Sequence, residues 1–73
     1  MNYTQRLKQL NSKASRDYIK RHIVDYGWTQ LEIAERLDIP LSTLSKWLNN
    51  NQGMSDARVF ALAEWAGVET RVD

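Results

Sequence analysis

The chain has 73 residues, 42% of them hydrophobic and 26% charged, which is enough for one small domain and leaves little room for a buried catalytic cleft. It contains no cysteine and one histidine, which excludes disulfides, thiolate metal sites and histidine clusters. The formal net charge is +1, but residues 1–21 carry six basic side chains and one acidic one, or +5, whereas residues 22–73 carry four basic and eight acidic ones, or −4.

The segment before Ser15 is basic and sparsely apolar. Leu7 and Leu10 lie three positions apart among polar residues, so residues 1–14 are predicted to form a short helix or a frayed arm. The positive charge of this part of the chain suits contact with a polyanion, and it equally suits a solvated helix face. Charge alone favours the solvated face.

The first clear helix is predicted from Ser15 to Tyr26. Ser15 is the expected N-cap, and the spacing of Ile19, Ile23 and Tyr26 places them on one face. Gly27 follows at the position where a left-handed residue would end the helix.

The second helix has the strongest start signal in the chain. Thr29 is followed three residues later by Glu32, which is the pattern of a capping box, and Trp28 is placed to pack against Ile33. The inward stripe of this helix is predicted to consist of Ile33, Ala34 and Leu37.

A third helix follows after a very short connection. Only three connecting residues, 38–40, follow the second helix before the helical pattern resumes with Leu44, Trp47 and Leu48. Two helices joined this tightly must cross at a steep angle, which is the helix-turn-helix arrangement.

A fourth helix is predicted after the polar residues 49–53, with Ser55 as its cap and Gly67 as its stop. Its apolar residues are Val59, Phe60, Leu62, Ala63 and Ala66. Because no stretch alternates like a strand, we predict an all-α fold, a compact four- to five-helix bundle. Residues 1–73 are expected to form one domain, with a core of residues 15–68 and a tail of residues 69–73.

Three parts of the sequence resemble one known family. They are Gly27-Trp28-Thr29-Gln30, IAERLDIPLSTLSKW at residues 33–47, and Ala66-Gly67-Val68. Over residues 19–68 the chain resembles the DNA-binding domain of the lambda-type phage repressors and Cro proteins, the XRE family. The resemblance implies that residues 41–49 form the recognition helix, which lies in the major groove while the preceding helix crosses the DNA backbone.

The family pattern places base contacts at the start of the recognition helix and one turn further on. This implies Leu41, Ser42, Thr43 and Lys46, with Ser45 as a weaker candidate. The side-chain chemistry agrees, because short hydroxyl groups let a helix approach base edges and a lysine can bond guanine acceptors. Leu41 could contact a thymine methyl or pack on the turn, and the hydroxyl residues could form an ordinary exposed helix face.

The resemblance implies phosphate contacts at two places. Gln30 lies in the first turn of the second helix, where free N–H groups and the helix dipole favour an anion. Asn49, Asn50 and Asn51 follow the recognition helix, where they either contact the backbone or simply form a turn. Further phosphate candidates are Lys13, Arg16, Lys20 and Arg58.

The sequence departs from the family pattern at three points. Asp38 stands where the turn often has glycine, and a left-handed aspartate is tolerated at some cost. Pro40 replaces a polar cap before the recognition helix. Ile23 and Leu48 stand where some phage repressors have a buried arginine and glutamate, and an apolar pair avoids the desolvation of buried charges.

Domains of this family usually bind as dimers on two half-sites, so a surface for self-association is expected. Trp28 and Trp47 are predicted to be packing residues, whereas Trp65 lies off the apolar stripe of the last helix. We predict that Trp65, Val68 and Val72 contribute to a dimer interface. The segment containing Leu7 and Leu10 is the rival surface.

The leading functional hypothesis is a sequence-specific regulator that binds double-stranded DNA, a Cro-like or small phage-type repressor on a palindromic operator. It is expected to form a homodimer, in some cases only on DNA. The alternative is an antitoxin-type module that binds a protein as well as DNA through residues 1–14 or 69–73. An enzyme is not expected, because no nucleophile, metal cluster or phosphate loop accompanies the carboxylates. No cofactor, small-molecule ligand or membrane span is expected, and we predict a cytoplasmic protein.

Overall fold

Five α-helices make up most of the chain in the computed structural model, which describes residues 1–49 and 52–73. The described residues contain no strand, so the prediction of an all-α bundle with four to five helices is confirmed. The helices are Tyr3–Leu10 (α1), Lys13–Asp25 (α2), Gln30–Leu37 (α3), Leu41–Asn49 (α4) and Asp56–Trp65 (α5).

The amino-terminal segment is a packed helix. The Asn2 side chain accepts a hydrogen bond from the Gln5 N–H (2.8 Å), and the Gln5 side chain accepts one from the Asn2 N–H (3.1 Å), which together form a capping box. The Tyr3 ring stacks on Phe60 of α5, with 5.3 Å between the centroids, and Leu10 is fully buried. Of the two alternatives for residues 1–14, the structure therefore has the short helix.

The predicted start of α2 at Ser15 is wrong. Ser12 is the N-cap, because its Oγ accepts a hydrogen bond from the Ser15 N–H at 3.2 Å. Ser12 and Ser15 are equally good capping residues by type, and the end of α1 at Leu10 decides between them. Ser15 consequently lies inside the first turn, where its hydroxyl is buried and has no hydrogen-bond partner in the described part of the chain.

Three helix ends share one closing geometry. Each has a left-handed residue just after the helix, namely Gly27 (φ 75°), Asp38 (φ 55°) and Gly67 (φ 79°). The next N–H then donates to a carbonyl five residues back: Trp28 to Ile23, Ile39 to Ala34 and Val68 to Ala63, at 2.9, 2.8 and 2.9 Å. This confirms the two glycine stops. Asp38 adopts the left-handed conformation that an aspartate tolerates, at a cost of roughly 1 kcal/mol.

Helix α4 lies against both α2 and α3. Leu44 and Trp47 are fully buried and Leu48 is 5% exposed, as the helical spacing predicts. The turn between α3 and α4 is anchored by Ile39, which is 4% exposed, and the Leu44 N–H donates to the Pro40 carbonyl at 3.0 Å as α4 begins. The core therefore holds α4 from one side and leaves its other side free.

Helix α5 begins after Ser55, as predicted, but the predicted side-chain cap is not formed. Ser55 is the N-cap residue, but its side chain makes no capping hydrogen bond. The ends of the chain pack beside α1, since Arg6 Nε donates to the Arg71 carbonyl at 2.9 Å.

Candidate nucleic-acid interface

The surface of α4 divides into an apolar side and a short polar side. Opposite its buried residues, Ser42 and Lys46 are exposed, and Leu41 is 41% exposed. Thr43 and Ser45 are half-buried at the boundary between the two sides. The predicted base-contacting residues thus lie on α4 outside the core, with Ser42 and Lys46 the most accessible of the polar ones.

Ser45 and Asn49 form a small unit on the last turn of α4. The Asn49 Nδ2 group donates to the Ser45 carbonyl at 3.0 Å and to Ser45 Oγ at 3.2 Å. Because Ser45 Oγ accepts this bond, its hydroxyl proton remains the group with which it would donate to a ligand. Asn49 therefore occupies an acceptor site of Ser45 and leaves its hydroxyl proton available.

The start of α3 offers backbone donors beside Gln30. The capping box is confirmed: Thr29 Oγ1 accepts from the Glu32 N–H (3.1 Å), and Glu32 Oε1 accepts from the Thr29 N–H (3.0 Å). Gln30 is half-buried in the first turn, and the N–H groups of Gln30 and Leu31 precede the first intrahelical bond, from the Ile33 N–H to the Thr29 carbonyl at 3.2 Å. Such N–H groups at the positive end of a helix favour a phosphate oxygen.

Leu41 lies at the edge of a shallow groove between the turn and α5. The groove is lined by Leu31, Ala34, Glu35, Asp38, Ile39, Pro40, Leu41 and Arg58. Leu41 therefore borders the turn and also keeps an exposed surface, so the two roles considered for it are compatible. The structure also brings Leu41 together with the half-buried Arg58 from a different helix.

A second groove joins the start of α2 to the end of α4. It is lined by three predicted phosphate-contacting residues, Lys13, Arg16 and Asn49, together with Asp17 and Leu48. Lys13 Nζ is 2.7 Å from Asp17 Oδ2, and both side chains are largely exposed. An exposed ion pair of this kind is weak in water, so Lys13 can exchange its carboxylate partner for a phosphate.

Arg16, for which a phosphate contact was predicted, is buried in the structure. Arg16 is only 7% exposed, and its guanidinium donates to three backbone carbonyls, those of Asn11, Trp47 and Gln52, at 2.8, 2.9 and 2.9 Å. Burial lowers the pKa of Arg16, but an arginine remains charged in a protein. These hydrogen bonds hold the guanidinium inside the domain, which disfavours the predicted phosphate contact.

Lys20, another predicted phosphate contact, is not brought to α4. Lys20 is exposed on α2, in a groove lined by Asp17, Arg21, Val24 and Asp25, all from the same helix. Asn50 and Asn51 lie outside the described residues. Ile23 and Leu48 are both buried, so the charged pair of some phage repressors is replaced here by apolar packing.

Two residues that support α4 were missed by sequence reasoning. Asn11 Oδ1 accepts a hydrogen bond from the Trp47 indole Nε1–H at 2.8 Å, and the Gln52 carbonyl accepts one from Arg16. The partners are 36 positions apart in both cases. No local spacing rule points to contacts at such a distance along the chain.

A comparison with models of known protein families identifies the family of this domain. A model described as helix-turn-helix, of the lambda repressor and Cro type, matches residues 19–71, more than two thirds of the chain. The chain belongs to the XRE helix-turn-helix family. No curated protein and no solved structure gives a significant match to it.

Membership of the XRE family makes the chain a DNA-binding transcription regulator. The family is regulatory and not typically enzymatic. In residues 1–49 and 52–73, no three His, Cys, Asp or Glu side chains are grouped so that they could hold a metal ion. No helix in those ranges has the length and apolar character needed to cross a membrane. The XRE match begins at residue 19, so α1 and the first six residues of α2 precede it.

Proposed function

We propose that this XRE protein is a sequence-specific repressor of the Cro-like or small phage type, which acts in the cytoplasm as a homodimer on a palindromic operator. The observation that carries the proposal is the division of α4 into two sides. Leu44 and Trp47 hold it to the core with no exposed surface, while Ser42 and Lys46 are exposed. A helix anchored in this way can enter the major groove without leaving its core position.

The side chains on the free side of α4 suit base recognition. Ser42 and Thr43 are short, so the helix backbone can come close to the base edges, and each hydroxyl group both donates and accepts hydrogen bonds. Lys46 is long enough to reach the O6 and N7 acceptors of guanine. Leu41 adds an apolar surface that fits the methyl group of thymine.

The proposed phosphate contacts would hold this helix in register. Gln30 and the first N–H groups of α3 form one contact, and the groove of Lys13 and Asn49 forms another. Such contacts set position and orientation, and they carry no sequence information themselves. Each phosphate neutralised by a cationic side chain would steepen the salt dependence of binding by roughly 0.9 in the log–log slope.

A selection experiment tests the proposed function. Double-stranded DNA of random sequence is incubated with the protein, and the bound fraction is recovered, amplified and sequenced. We expect a two-fold symmetric consensus with half-site centres about 34 Å apart, one helical turn of DNA. Placed across a promoter, the selected site should lower reporter expression when the protein is present.

The control is a double variant, Ser42→Asp with Lys46→Glu, which changes two exposed residues and should remain folded. It should enrich no sequence, because the added carboxylates repel the DNA. If the wild-type protein also enriches no sequence, the proposal of a sequence-specific regulator is wrong. A consensus without two-fold symmetry would contradict the proposed homodimer.

We place the dimer interface at Trp65, Val68 and Val72. Trp65 and Val68 are half-buried and Val72 is 44% exposed, so an accessible surface remains at all three. The Trp65 ring meets His22 and Trp28 edge-on, with centroids 5.1 and 6.1 Å away, which holds it in place. The rival surface on α1 is weaker, because Leu10 is fully buried and Leu7 is packed against the core.

The substitution Val72→Lys is expected to weaken dimer formation without changing the contacts of each subunit with DNA. Val72→Lys should lower the affinity for the full palindrome relative to a single half-site by about tenfold, because a buried charge opposes the interface. The matched control is Val24→Lys on α2, since Val24 is 68% exposed and gains the same charge. Each variant is titrated with the full palindrome and with a single half-site, which gives its ratio of palindrome to half-site affinity. If Val72→Lys and Val24→Lys had equal ratios, Val72 would not belong to the interface.

The antitoxin-type alternative has no observation in its favour. A disordered amino-terminal segment that folds on a partner would favour it. Residues 3–10 instead form a helix that is packed on α5 through Tyr3 and on the core through Leu10.

A further inference from the structure

A polar cluster centred on the buried Arg16 lies where the turn between α1 and α2 meets the end of α4. We call it the Arg16 clasp, and it consists of Asn11, Arg16, Trp47 and Gln52. Among the described residues, Arg16 is the only buried residue that is polar or charged. The two side chains that come from the turn and from α2, Asn11 and Arg16, both precede the segment matched by the XRE model.

Arg16 spans the clasp with all three of its guanidinium nitrogens. Nε donates to the Asn11 carbonyl at 2.8 Å, and Nη1 donates to the carbonyls of Trp47 and Gln52, at 2.9 Å each. Nη2 donates to Asn11 Oδ1 at 3.4 Å. The guanidinium also lies over the Trp47 ring, 4.7 Å from its centroid, where the negative face of the ring attracts a cation.

The clasp supplies hydrogen-bond donors to carbonyl groups at the end of α4, where a helix has no N–H groups of its own to bond them. The last four carbonyls of a helix have no N–H group within the helix to bond, and the Trp47 carbonyl is one of them. The Lys46 carbonyl, also in this last turn, accepts a bond from the Gln52 N–H at 3.3 Å. A positive guanidinium is also favoured at the negative end of the helix dipole.

Asn11 connects the guanidinium to the indole ring. Its Oδ1 accepts from both the Trp47 Nε1–H (2.8 Å) and Arg16 Nη2 (3.4 Å), and its Nδ2 donates to the Leu7 carbonyl at 3.1 Å. Trp47 is therefore held by its carbonyl, by its ring face and by its indole N–H. Three separate contacts on one residue define how α4 is rotated about its own axis as well as where it ends.

The rotation of α4 matters because Lys46 is the neighbour of Trp47. Adjacent residues of a helix point about 100° apart, so turning Trp47 turns Lys46 by the same amount. Base recognition needs donor and acceptor atoms within roughly 2.7–3.2 Å of each other. A recognition helix that is loose by about 1 Å would still attract DNA by its charge, but it would discriminate poorly between sequences.

We propose that Arg16, oriented by Asn11, is a positioning residue for DNA recognition. It holds the end of α4 and thereby sets the alignment of Ser42, Thr43 and Lys46 with the bases. This role rests on the proposed function, since it concerns the specificity of that same interface. Lysine cannot replace Arg16, because a single ammonium group lacks the planar fork that reaches separate carbonyls.

The test compares Arg16→Lys, Arg16→Gln and the control Arg21→Gln. Arg21 lies on the same helix with an exposed side chain, so its variant removes the same charge without touching the clasp. Affinity is measured for the selected operator and for random DNA, under conditions where urea titrations show each variant to be folded. We expect both Arg16 variants to lower the operator-to-random ratio about tenfold, and Arg21→Gln to change that ratio less than about twofold.

A salt titration separates positioning from direct phosphate contact. If Arg16 held a phosphate, Arg16→Gln would reduce the log–log salt slope by about 0.9, and Arg16→Lys would keep both slope and specificity. We expect the slope of Arg16→Gln to equal that of the wild type. A slope lowered by that amount, or a full operator-to-random ratio in Arg16→Lys, would overturn the positioning role.

A measurement without DNA distinguishes failure of the clasp from failure of the proposed function. In free Arg16→Lys, the Trp47 indole proton and the amides of residues 46–49 should exchange with solvent at least about tenfold faster, while the α5 amides keep their rates. Unchanged exchange would overturn the clasp even if DNA binding fell. A wild-type protein without sequence preference would overturn the proposed function and the recognition role together, whatever the exchange rates.

Asn11→Ala provides a second variant if the Arg16 variants do not fold. It removes the acceptor shared by Trp47 and Arg16 but leaves the three guanidinium contacts to backbone carbonyls. We expect a smaller fall in the operator-to-random ratio, about threefold, with faster exchange of the Trp47 indole proton. An unchanged ratio in folded Asn11→Ala would count against the orienting role of Asn11.

Discussion

Replacing Trp47 by alanine is expected to leave the protein largely unfolded. Trp47 is fully buried, and truncating a buried tryptophan costs about 3–5 kcal/mol. A single core in a domain of this size supplies only roughly 3–5 kcal/mol of net stability. The loss also removes the indole N–H that donates to Asn11 Oδ1, so the net contribution of that hydrogen bond is lost as well. The expected result is loss of the cooperative urea transition, followed by far-UV circular dichroism.

Two control variants test whether the loss of stability comes from the buried ring of Trp47. Trp47→Phe keeps an aromatic ring but removes the indole N–H, so it should remain folded with a loss of about 1–3 kcal/mol. Trp28→Ala removes a half-buried tryptophan at the start of α3 and should cost less than Trp47→Ala. If Trp47→Ala unfolded cooperatively with a midpoint near that of the wild type, Trp47 would not be the main anchor of α4.

Replacing the adjacent Lys46 by alanine is expected to have the opposite pattern of effects. Lys46 is exposed, so the free energy of unfolding should change by no more than about 0.5 kcal/mol. Binding to the selected operator should weaken by about 1–3 kcal/mol, because a lysine that bonds guanine acceptors contributes in that range. Fluorescence anisotropy with labelled operator and with random DNA measures both affinities.

Lys8→Ala is the matched control for Lys46→Ala. Lys8 is an exposed lysine on α1 and is not among the proposed contacts, so its variant loses the same charge without losing a base contact. It should weaken binding to both DNAs slightly and equally. An equal loss on both DNAs for Lys46→Ala would instead assign Lys46 to the phosphate backbone.

The contrast between Lys46 and Trp47 shows how one helix serves stability and recognition. The two residues are adjacent in the chain but point to different sides of α4. Trp47 contributes its ring, its indole N–H and its carbonyl to contacts inside the domain. Lys46 contributes only its carbonyl to such a contact and presents its side chain to solvent, where a partner can meet it.

Much of the fold follows from short-range patterns. The capping box of Thr29 and Glu32, the stops at Gly27 and Gly67 and the apolar side of α4 all depend on residues within about one or two turns of each other. The free side of α4 follows by exclusion, because a helix with one buried side must expose the other. For this reason the helix-turn-helix and the exposed Ser42 and Lys46 could be predicted before any coordinates were known.

The start of α2 and the role of Arg16 could not be predicted in this way. Ser12 and Ser15 carry the same capping group, and the position of α1 selects between them. Arg16 has the charge of a surface residue, and its burial depends on carbonyls 31 and 36 positions away. A long charged side chain becomes structural only when the packed chain supplies enough acceptors to replace its water.

Local spacing thus determines which helices form and which side of α4 is free, because helical geometry relates residues three and four positions apart. Packing alone decides that α1 is docked, that Arg16 is withdrawn from solvent, and that the end of α4 is held from outside the XRE segment. Those outcomes depend on contacts between distant residues, and such contacts exist only once the core has brought the helices together.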